Sequence, residues 1–261
     1  MNFKNSVSTL LIVLCAVIGG FVFSKKINPP RQDTDTFVIG TAAGYAPFVS
    51  INAQGEYEGF DIDVAYALAD QMGKTIILKD LGSMTSLFTA LDQGSIDAII
   101  WGISITQDRL KKVAMVQYQG EITKTYPLIF WKNIPTGVSS ISDMNGKTIC
   151  VEPASSQDSL LSKYPFITKL PIEKIDDALL NIQYEKADAA LVEPAIAKKF
   201  KNKYPDIQIL EVPLPLQDQV NGVGIAIKQD NTKLINEVQT AVDILKAEGV
   251  ITQYEQKWEI E

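Results

Sequence analysis

Ser104 and Arg109 lie five residues apart in the segment Trp101-Gly-Ile-Ser-Ile-Thr-Gln-Asp-Arg109, at the end of an apolar run. A guanidinium binds a carboxylate through two parallel hydrogen bonds, and a serine hydroxyl with backbone N–H groups can complete the shell of that carboxylate. The alternative is a surface arginine on a short helix, because Lys111 and Lys112 follow it directly. The residues alone leave both interpretations open.

Two further segments carry groups that suit the ends of an amino acid. Ser155, Ser156 and Gln157 open a predicted helix, whose N-terminus presents free N–H groups to an anion, although plain N-capping by serine is the alternative. Glu193 ends an apolar run before Pro194 and is either a helix-start acid or a partner for an ammonium group. Together, the arginine, the helix N-terminus and the acid are complementary to a zwitterionic α-amino acid.

Missing residue types restrict the chemistry. The 261-residue chain has no histidine, which removes Ser-His-Asp and Cys-His catalytic arrangements and the commonest metal ligand. Cys15 lies in an N-terminal apolar run, so Cys150 is the one thiol of the body and no internal disulfide or cysteine zinc site can form. Asp61 and Asp63 fit the first turn of a helix. The net charge of −7 disfavours nucleic acid, and we predict no metal, cofactor or nucleic-acid partner.

Residues 1–26 are expected to serve export and not the fold. Lys4 precedes an uncharged run that two lysines close at positions 25 and 26. This pattern is typical of a secretory signal peptide or of an uncleaved membrane anchor. A lipoprotein with Cys15 as the modified residue is a third alternative. All three place the body outside the cytoplasm, so we predict a periplasmic protein, with an N-terminal anchor as one possible form.

Strand and helix patterns alternate along the rest of the chain, which is typical of an α/β protein with mostly parallel sheets. Strands are predicted at 36–41, 75–78, 96–101, 147–151, 187–192 and 222–227, and helices at 60–72, 85–91, 155–163, 175–184 and 234–245. A weak internal repeat relates the segment Gly94–Gly102 to the segment Glu185–Glu193, and it indicates two lobes of similar plan.

Ligands of parallel α/β sheets lie beyond the carboxyl ends of the strands. This rule selects four loops, at residues 42–45, 101–104, 152–157 and 193. Two of these loops precede Asn133 and two follow it. A site shared by two lobes is therefore expected.

The chain resembles the periplasmic polar amino-acid-binding proteins of ABC importers, solute-binding protein family 3, from Phe37 to Trp258. The resemblance rests on the ordered segments GTAAGYAPF (40–48), EGFDID (58–63), GSIDA (94–98), SITQDR (104–109), GVGIA (222–226) and LKAEGV (245–250). The stretches Leu191–Pro194 and Glu248–Ile251 are most similar to an arginine-binding subgroup.

The resemblance implies a two-lobe periplasmic binding protein fold of type II, in which each lobe is a mostly parallel sheet flanked by helices and a two-strand hinge joins them. Lobe 1 is expected over 37–123 and 221–261, lobe 2 over 124–220, and a linker over 27–36. Such a protein is a monomer without catalytic residues. It captures a free L-amino acid between the lobes and delivers it to an ABC permease.

The resemblance also assigns residues to the two head groups of the ligand. Arg109, aided by Ser104, corresponds to the position that holds the carboxylate. The backbone at Gly102 and the acid Glu193 correspond to the positions that take the amine. The pair Ser155-Ser156 corresponds to the donors that the second lobe adds.

Other positions of the resemblance concern the ligand side chain. Tyr45 and Met84 correspond to residues that flank it, and Trp101 is bulky where a small residue is usual, which leaves the pocket size open. Ala42 stands where relatives that bind basic ligands often carry an acid. With Glu121 as a possible distal acid, we expect a basic, arginine-like amino acid, and a polar neutral one is the alternative.

Two rival functions share this scaffold. Relatives include cyclohexadienyl dehydratases, in which a buried carboxylic acid helps to expel water from a carboxylated ring, and Glu193 could be such an acid. A membrane-tethered amino-acid sensor is the second rival, and it would need a retained anchor and a partner that signals.

Overall fold

The computed structural model describes residues 35–260. Its strands are β1 (Thr36–Thr41), β2 (Ser50–Ile51), β3 (Tyr57–Glu58), β4 (Thr75–Asp80), β5 (Ala98–Ile99), β6 (Val113–Thr123), β7 (Thr125–Trp131), β8 (Thr148–Val151), β9 (Thr168–Pro171), β10 (Ala189–Leu191), β11 (Ile207–Pro213) and β12 (Val220–Lys228). Its α-helices are α1 (Phe60–Gln71), α2 (Met84–Asp92), α3 (Gln107–Leu110), α4 (Ser156–Leu161), α5 (Asp176–Gln183), α6 (Pro194–Lys203), α7 (Thr232–Ala247) and α8 (Val250–Lys257). Short 3-10 helices cover Ile141–Met144 and Leu216–Asp218.

Two five-stranded sheets organise the chain, and a small antiparallel pair joins β2 to β3. The first sheet has the order β4-β1-β5-β12-β6, and β12 alone in it runs against the other four strands. The second sheet has the order β11-β7-β10-β8-β9, with β7 as its reversed strand. Helices α1, α2 and α7 pack on the first sheet, and α5 and α6 pack on the second. The predicted fold of two mostly parallel sheets flanked by helices is confirmed.

The chain crosses between the sheets at two adjacent places. Thr123 pairs with Val220 in the first sheet, and Thr125 pairs with Pro213 in the second. Between these pairs the Leu214 N–H donates to the carbonyl of Lys124 at 2.8 Å. The two crossing segments therefore support one another by hydrogen bonds, as a two-strand hinge requires. We propose lobe limits at these crossings, with 37–123 and 221–261 in one lobe and 124–220 in the other.

Most predicted elements occur close to their expected places, because their apolar spacing matches the buried face. In α7, the residues Leu234, Val238, Ala241, Val242 and Leu245 are buried, as the 3.6-residue spacing requires. The helix ends before Gly249, which has a left-handed φ of 73°. The predicted strand 96–101 is wrong in length: only β5 pairs, because the chain turns away toward Gly102, whose φ is 55°.

Three predictions concern the leader, the linker and Cys150. The predicted leader, residues 1–26, lies outside the described residues, as does most of the linker, although Thr36 already belongs to β1. Cys150 is a buried free thiol, as predicted. Within residues 35–260, no helix combines the length and apolar character that a bilayer crossing requires.

A glycine of the hinge offers a direct test of its packing. Gly222 has φ +70°, and a Cβ built there would lie 2.4 Å from the carbonyl oxygen of Gln119 and 2.7 Å from that of Gly120. Gly249 has a similar φ of +73° but open space around its Cβ position. We expect Gly249→Ala to lower the free energy of unfolding by about 1 kcal/mol. Gly222→Ala should lower the free energy of unfolding by a further ~1–3 kcal/mol, because the backbone at Gln119 and Gly120 must move.

Urea unfolding of both variants, followed by circular dichroism, measures the difference. Since the two glycines share nearly the same φ, Gly249→Ala is the control for backbone strain alone. Equal losses in the two variants would show that the hinge accommodates a side chain and that this account of its packing is wrong.

Candidate functional site

The segment after β5 is fixed by the hinge strand β12. Gly224 N–H donates to the carbonyl of Ile103 at 2.8 Å, and Ile105 N–H donates to the carbonyl of Gly222 at 2.9 Å. Ser104, between these bonds, forms an isolated bridge with Val223 and is buried. The position of Ser104 is therefore coupled to the strand that joins the two sheets.

Gly102 is held by a buried acid that the sequence analysis treated as a simple helix-start residue. Its N–H donates to Oδ2 of Asp61 at 2.5 Å, and the Tyr118 hydroxyl donates to Oδ1 at 2.6 Å. Burial raises the pKa of Asp61 to about 7, although both hydrogen bonds lower it. Asp63, the other acid of this helical turn, instead meets Lys257 at the surface. Asp61 is thus a positioning residue for the first strand-end loop.

Arg109 is buried, which contradicts the alternative of a surface cation. Its Nη1 donates to the carbonyl of Ser104 at 2.8 Å, and its Nη2 donates to the carbonyl of Ala154 at 3.1 Å and approaches Sδ of Met84 at 3.8 Å. The guanidinium carbon lies 5.6 Å from the centre of the Phe88 ring. Burial lowers the pKa of Arg109, and the charge of nearby carboxylates raises it. No carboxylate lies within 4.0 Å of this cation among residues 35–260.

Groups from the second sheet approach Ser104 from the opposite side. Ser104 Oγ donates to Oε1 of Glu193 at 2.8 Å, and Ser156 Oγ lies 3.4 Å from Ser104 Oγ. The Tyr126 hydroxyl donates to Ser156 at 2.7 Å. Ser155 is the N-cap of α4 and accepts from the backbone of the third residue beyond it, so plain N-capping describes Ser155. Ser156 is the member of the pair that faces the first sheet.

Glu193 is partly buried and has no cation within 4.0 Å among the described residues. Burial raises its pKa, whereas the Gln157 amide, the Ser104 hydroxyl and the charge of Arg109 lower it. The Gln157 amide faces this carboxyl, but its Nε2 lacks a hydrogen bond of good geometry within the described chain. The Gln157 amide and the Glu193 carboxyl therefore lie beside each other with hydrogen-bonding capacity that a polar ligand could use.

Tyr45 and Trp101, which were predicted near the ligand side chain, form an aromatic wall with Phe48. The Tyr45 ring lies 5.0 Å from that of Trp101 and 5.5 Å from that of Phe48. Tyr45, Trp101 and Met84 are all buried. The Trp101 Nε1 donor is buried without a partner in the described residues. Trp101 therefore offers a free donor as well as bulk.

The predicted distal acid shares a cavity with one ring of this wall, Phe48. Glu121 is exposed on β6 and lines a cavity of about 130 Å³ with Gly102, Ser104 and Glu193, on the hinge side of the site. Ala42 is fully buried and offers no charge. Neither position supplies an acid next to Tyr45 and Trp101.

Glu152 is an acid of the site that the sequence analysis did not identify. It follows β8 directly, at the first position of the predicted loop 152–157, in which only the serines and Gln157 were considered. Burial raises the pKa of Glu152 to about 8; Arg109 lowers it, and Glu193 and Glu173 raise it. The position of Glu152 directly after a parallel strand was the available signal, but its burial and its charged neighbours follow only from the packing.

The role of Asp61 generates a prediction on stability. Its pKa is about 7 in the folded protein against 3.8 as the reference value, so the folded form binds this proton more tightly. The stabilisation is complete below about pH 4 and is lost as pH rises through about 7, with an upper limit of about 4 kcal/mol. In Asp61→Asn, the free energy of unfolding should fall less between pH 4 and 7 than in wild type. Urea unfolding across this range measures the difference, and parallel curves would contradict the assignment.

Comparisons with known proteins identify the family of this chain. The family model for bacterial extracellular solute-binding proteins, family 3, matches residues 37–261. A probable ABC transporter arginine-binding protein, ArtJ, from Chlamydia trachomatis is 30% identical over 250 residues, with 95% of each chain covered. A mutant of ArgBP from T. maritima has a TM-score of 0.77 at 28% identity, covering 87% of this chain and 96% of that one.

A second solved structure, a Salmonella typhimurium periplasmic binding protein described for high arginine specificity, has a TM-score of 0.75 at 26% identity. That alignment covers 85% of this chain and 98% of the other. The match to the family model spans both sheets and every segment of the site described above. This chain is therefore a member of the bacterial extracellular solute-binding proteins, family 3.

Proposed function

We propose that this protein captures a free L-amino acid between its two sheets and delivers it to an ABC permease. A basic, arginine-like amino acid is the first candidate, and a polar neutral one is the alternative. One observation carries the proposal: Arg109 is a buried cation without an anionic partner among the described residues, and Glu193 is an acid without a cationic one. Unpaired buried charge is costly, and a zwitterion neutralises both groups at once.

Arg109 binds the ligand carboxylate in this proposal. Its nitrogens donate to carbonyl oxygens from both sheets, those of Ser104 and Ala154, which are neutral acceptors. A carboxylate forms shorter and stronger hydrogen bonds with a guanidinium than a carbonyl does. The ligand therefore competes well for these donors.

Glu193 takes the ligand ammonium group, together with the backbone at Gly102. The contact of 2.8 Å between Ser104 and Glu193 joins the two sheets at this point. An ammonium group that contacts Glu193 of the second sheet and Gly102 of the first favours closure of the sheets, so ligand binding and closure favour each other.

The family name and the relatives support an extracellular protein that serves an ABC transporter. We further propose that residues 1–26 export the chain and that its body is monomeric. Mass spectrometry of the exported protein separates a cleaved signal peptide from a retained anchor or a lipid on Cys15. The structure supplies no separate argument for a membrane-tethered sensor.

Arg109→Ala tests the proposed carboxylate clamp. Removing one partner of a buried charge pair costs about 2–5 kcal/mol, so the affinity for L-arginine should fall by about thirtyfold or more. Isothermal titration calorimetry of the leaderless protein measures this loss. Lys112→Ala is the matched control, because it removes an equal charge at an exposed position three residues away.

A loss below tenfold would mean that Arg109 does not hold the carboxylate. The wild-type protein is also titrated with the other common amino acids and incubated with prephenate. Consumption of prephenate without binding of any amino acid would replace the binding function with the dehydratase alternative.

A further inference from the structure

The last described residues of the chain lie beside both sheets. Helix α8 packs against α1 and α7, which cover the first sheet. At the end of α8, Trp258 Nε1 donates to Oδ2 of Asp63 at 2.6 Å, and Lys257 forms an ion pair with the same carboxylate. The end of α8 is therefore fixed to the first sheet, and the residues that follow it start from a defined place.

A turn at Glu259 directs the C-terminal tail, defined here as Trp258–Ile260, away from the axis of α8. Glu259 has a left-handed φ of 53°, and the Ile260 N–H donates back to the carbonyl of Glu255 at 3.1 Å. This bond closes the helix in the manner of a Schellman motif, whose left-handed residue is usually glycine. A residue with a Cβ keeps that conformation only where its surroundings fix it. The contacts of the tail therefore determine its shape.

The tail meets the second sheet at α6. Lys198 Nζ donates to the carbonyl of Glu259 at 3.1 Å. Ile260 is half-buried and lines the hinge-side cavity together with Glu193, the N-cap of α6, and with the first turn of that helix at Pro194 and Ala195. The tail thus extends from the first sheet to the helix that begins at the acid of the site.

A contact between the lobes acts on the equilibrium between closed and open arrangements. In this structure the sheets also touch directly, where Ser104 donates to Glu193 and Arg109 donates to the carbonyl of Ala154. A bridge that forms in the closed arrangement and not in a separated one shifts the equilibrium toward closure. The apparent affinity for a ligand rises with the fraction of protein in the binding-competent arrangement.

We propose that the C-terminal tail is a third connection between the two lobes, which positions α6 and its N-cap Glu193 and thereby slows the release of a bound ligand. The two crossing segments join the lobes covalently, and the tail adds a non-covalent contact through Lys198 and Ile260. The effect on ligand release rests on the proposed function, whereas the effect on the unliganded protein does not.

The first experiment measures release of L-arginine by stopped-flow tryptophan fluorescence, with all variants made in the full-length chain and purified after export. Ile260→Ala combined with Lys198→Met removes both side chains that link the tail to α6. The dissociation rate constant should rise about tenfold and the association rate constant should stay within about twofold, because the ligand enters the open form. Ile260→Val combined with Lys198→Arg keeps an apolar side chain and a donor, and it should keep the wild-type rates. Lys203→Met, at an exposed position of the same helix, is the control for loss of charge.

The second experiment measures the separation of the lobes without ligand. Spin labels are placed at Thr85→Cys and Lys174→Cys, two exposed positions that follow β4 and β9, the edge strands farthest from the hinge in their sheets. Cys15→Ser removes the thiol of the leader, and Cys150 is buried. Electron double resonance should give longer distances in the double variant than in wild type, because the closed fraction falls.

Unchanged dissociation of L-arginine in the double variant would overturn the inference, as would an equal increase in Lys203→Met. A change confined to the association rate would overturn it too, since closure follows binding. If the double variant does not fold, Ile260→Ala and Lys198→Met alone are judged by the same rates. If the wild-type protein binds no amino acid, the proposed function fails, and the distances then decide the inference: identical distributions in wild type and double variant would contradict it.

Discussion

Arg109 is desolvated between two sheets without a carboxylate beside it in the described chain, and the rest of the site is arranged around this cation. An unpaired buried charge destabilises the folded protein by roughly several kcal/mol, so its retention requires compensation by hydrogen bonds and by a ligand. The carbonyls of Ser104 and Ala154 supply part of that compensation from opposite sheets. The arrangement therefore favours a closed cleft, and an anionic ligand group strengthens it.

The loop beside this cation is bonded to the strands that join the two sheets. The loop that carries Ser104 is bonded to β12, and β12 begins where the chain returns from the second sheet. Asp61 holds the other end of the same loop through Gly102. Gly102 and Ser104 are therefore held together beside the strand that joins the two sheets.

Much of this could be read from the sequence, for physical reasons that differ between elements. Strand β1 and helix α7 were predicted within two residues, because their burial follows a local apolar period. Strands β6, β7 and β11 were not predicted individually, since their pairing across the hinge involves residues far apart in the chain. The resemblance to a family named the residues that we propose for the head groups, but the sequence did not predict the contacts of Asp61 or the burial of Glu152. Their roles depend on burial and on partners from other elements, which no local pattern contains.

Binding of one ligand and of two truncated analogues tests the central claim most directly. Calorimetric titration of the leaderless protein is carried out with L-arginine, with agmatine, which lacks the carboxylate, and with 5-guanidinopentanoate, which lacks the α-amine. If Arg109 and Glu193 are neutralised by the two head groups, each analogue should bind about thirtyfold or more weakly than L-arginine. Binding of either analogue within about threefold of L-arginine would show that one of the two charges is not part of the recognition, and it would contradict the account.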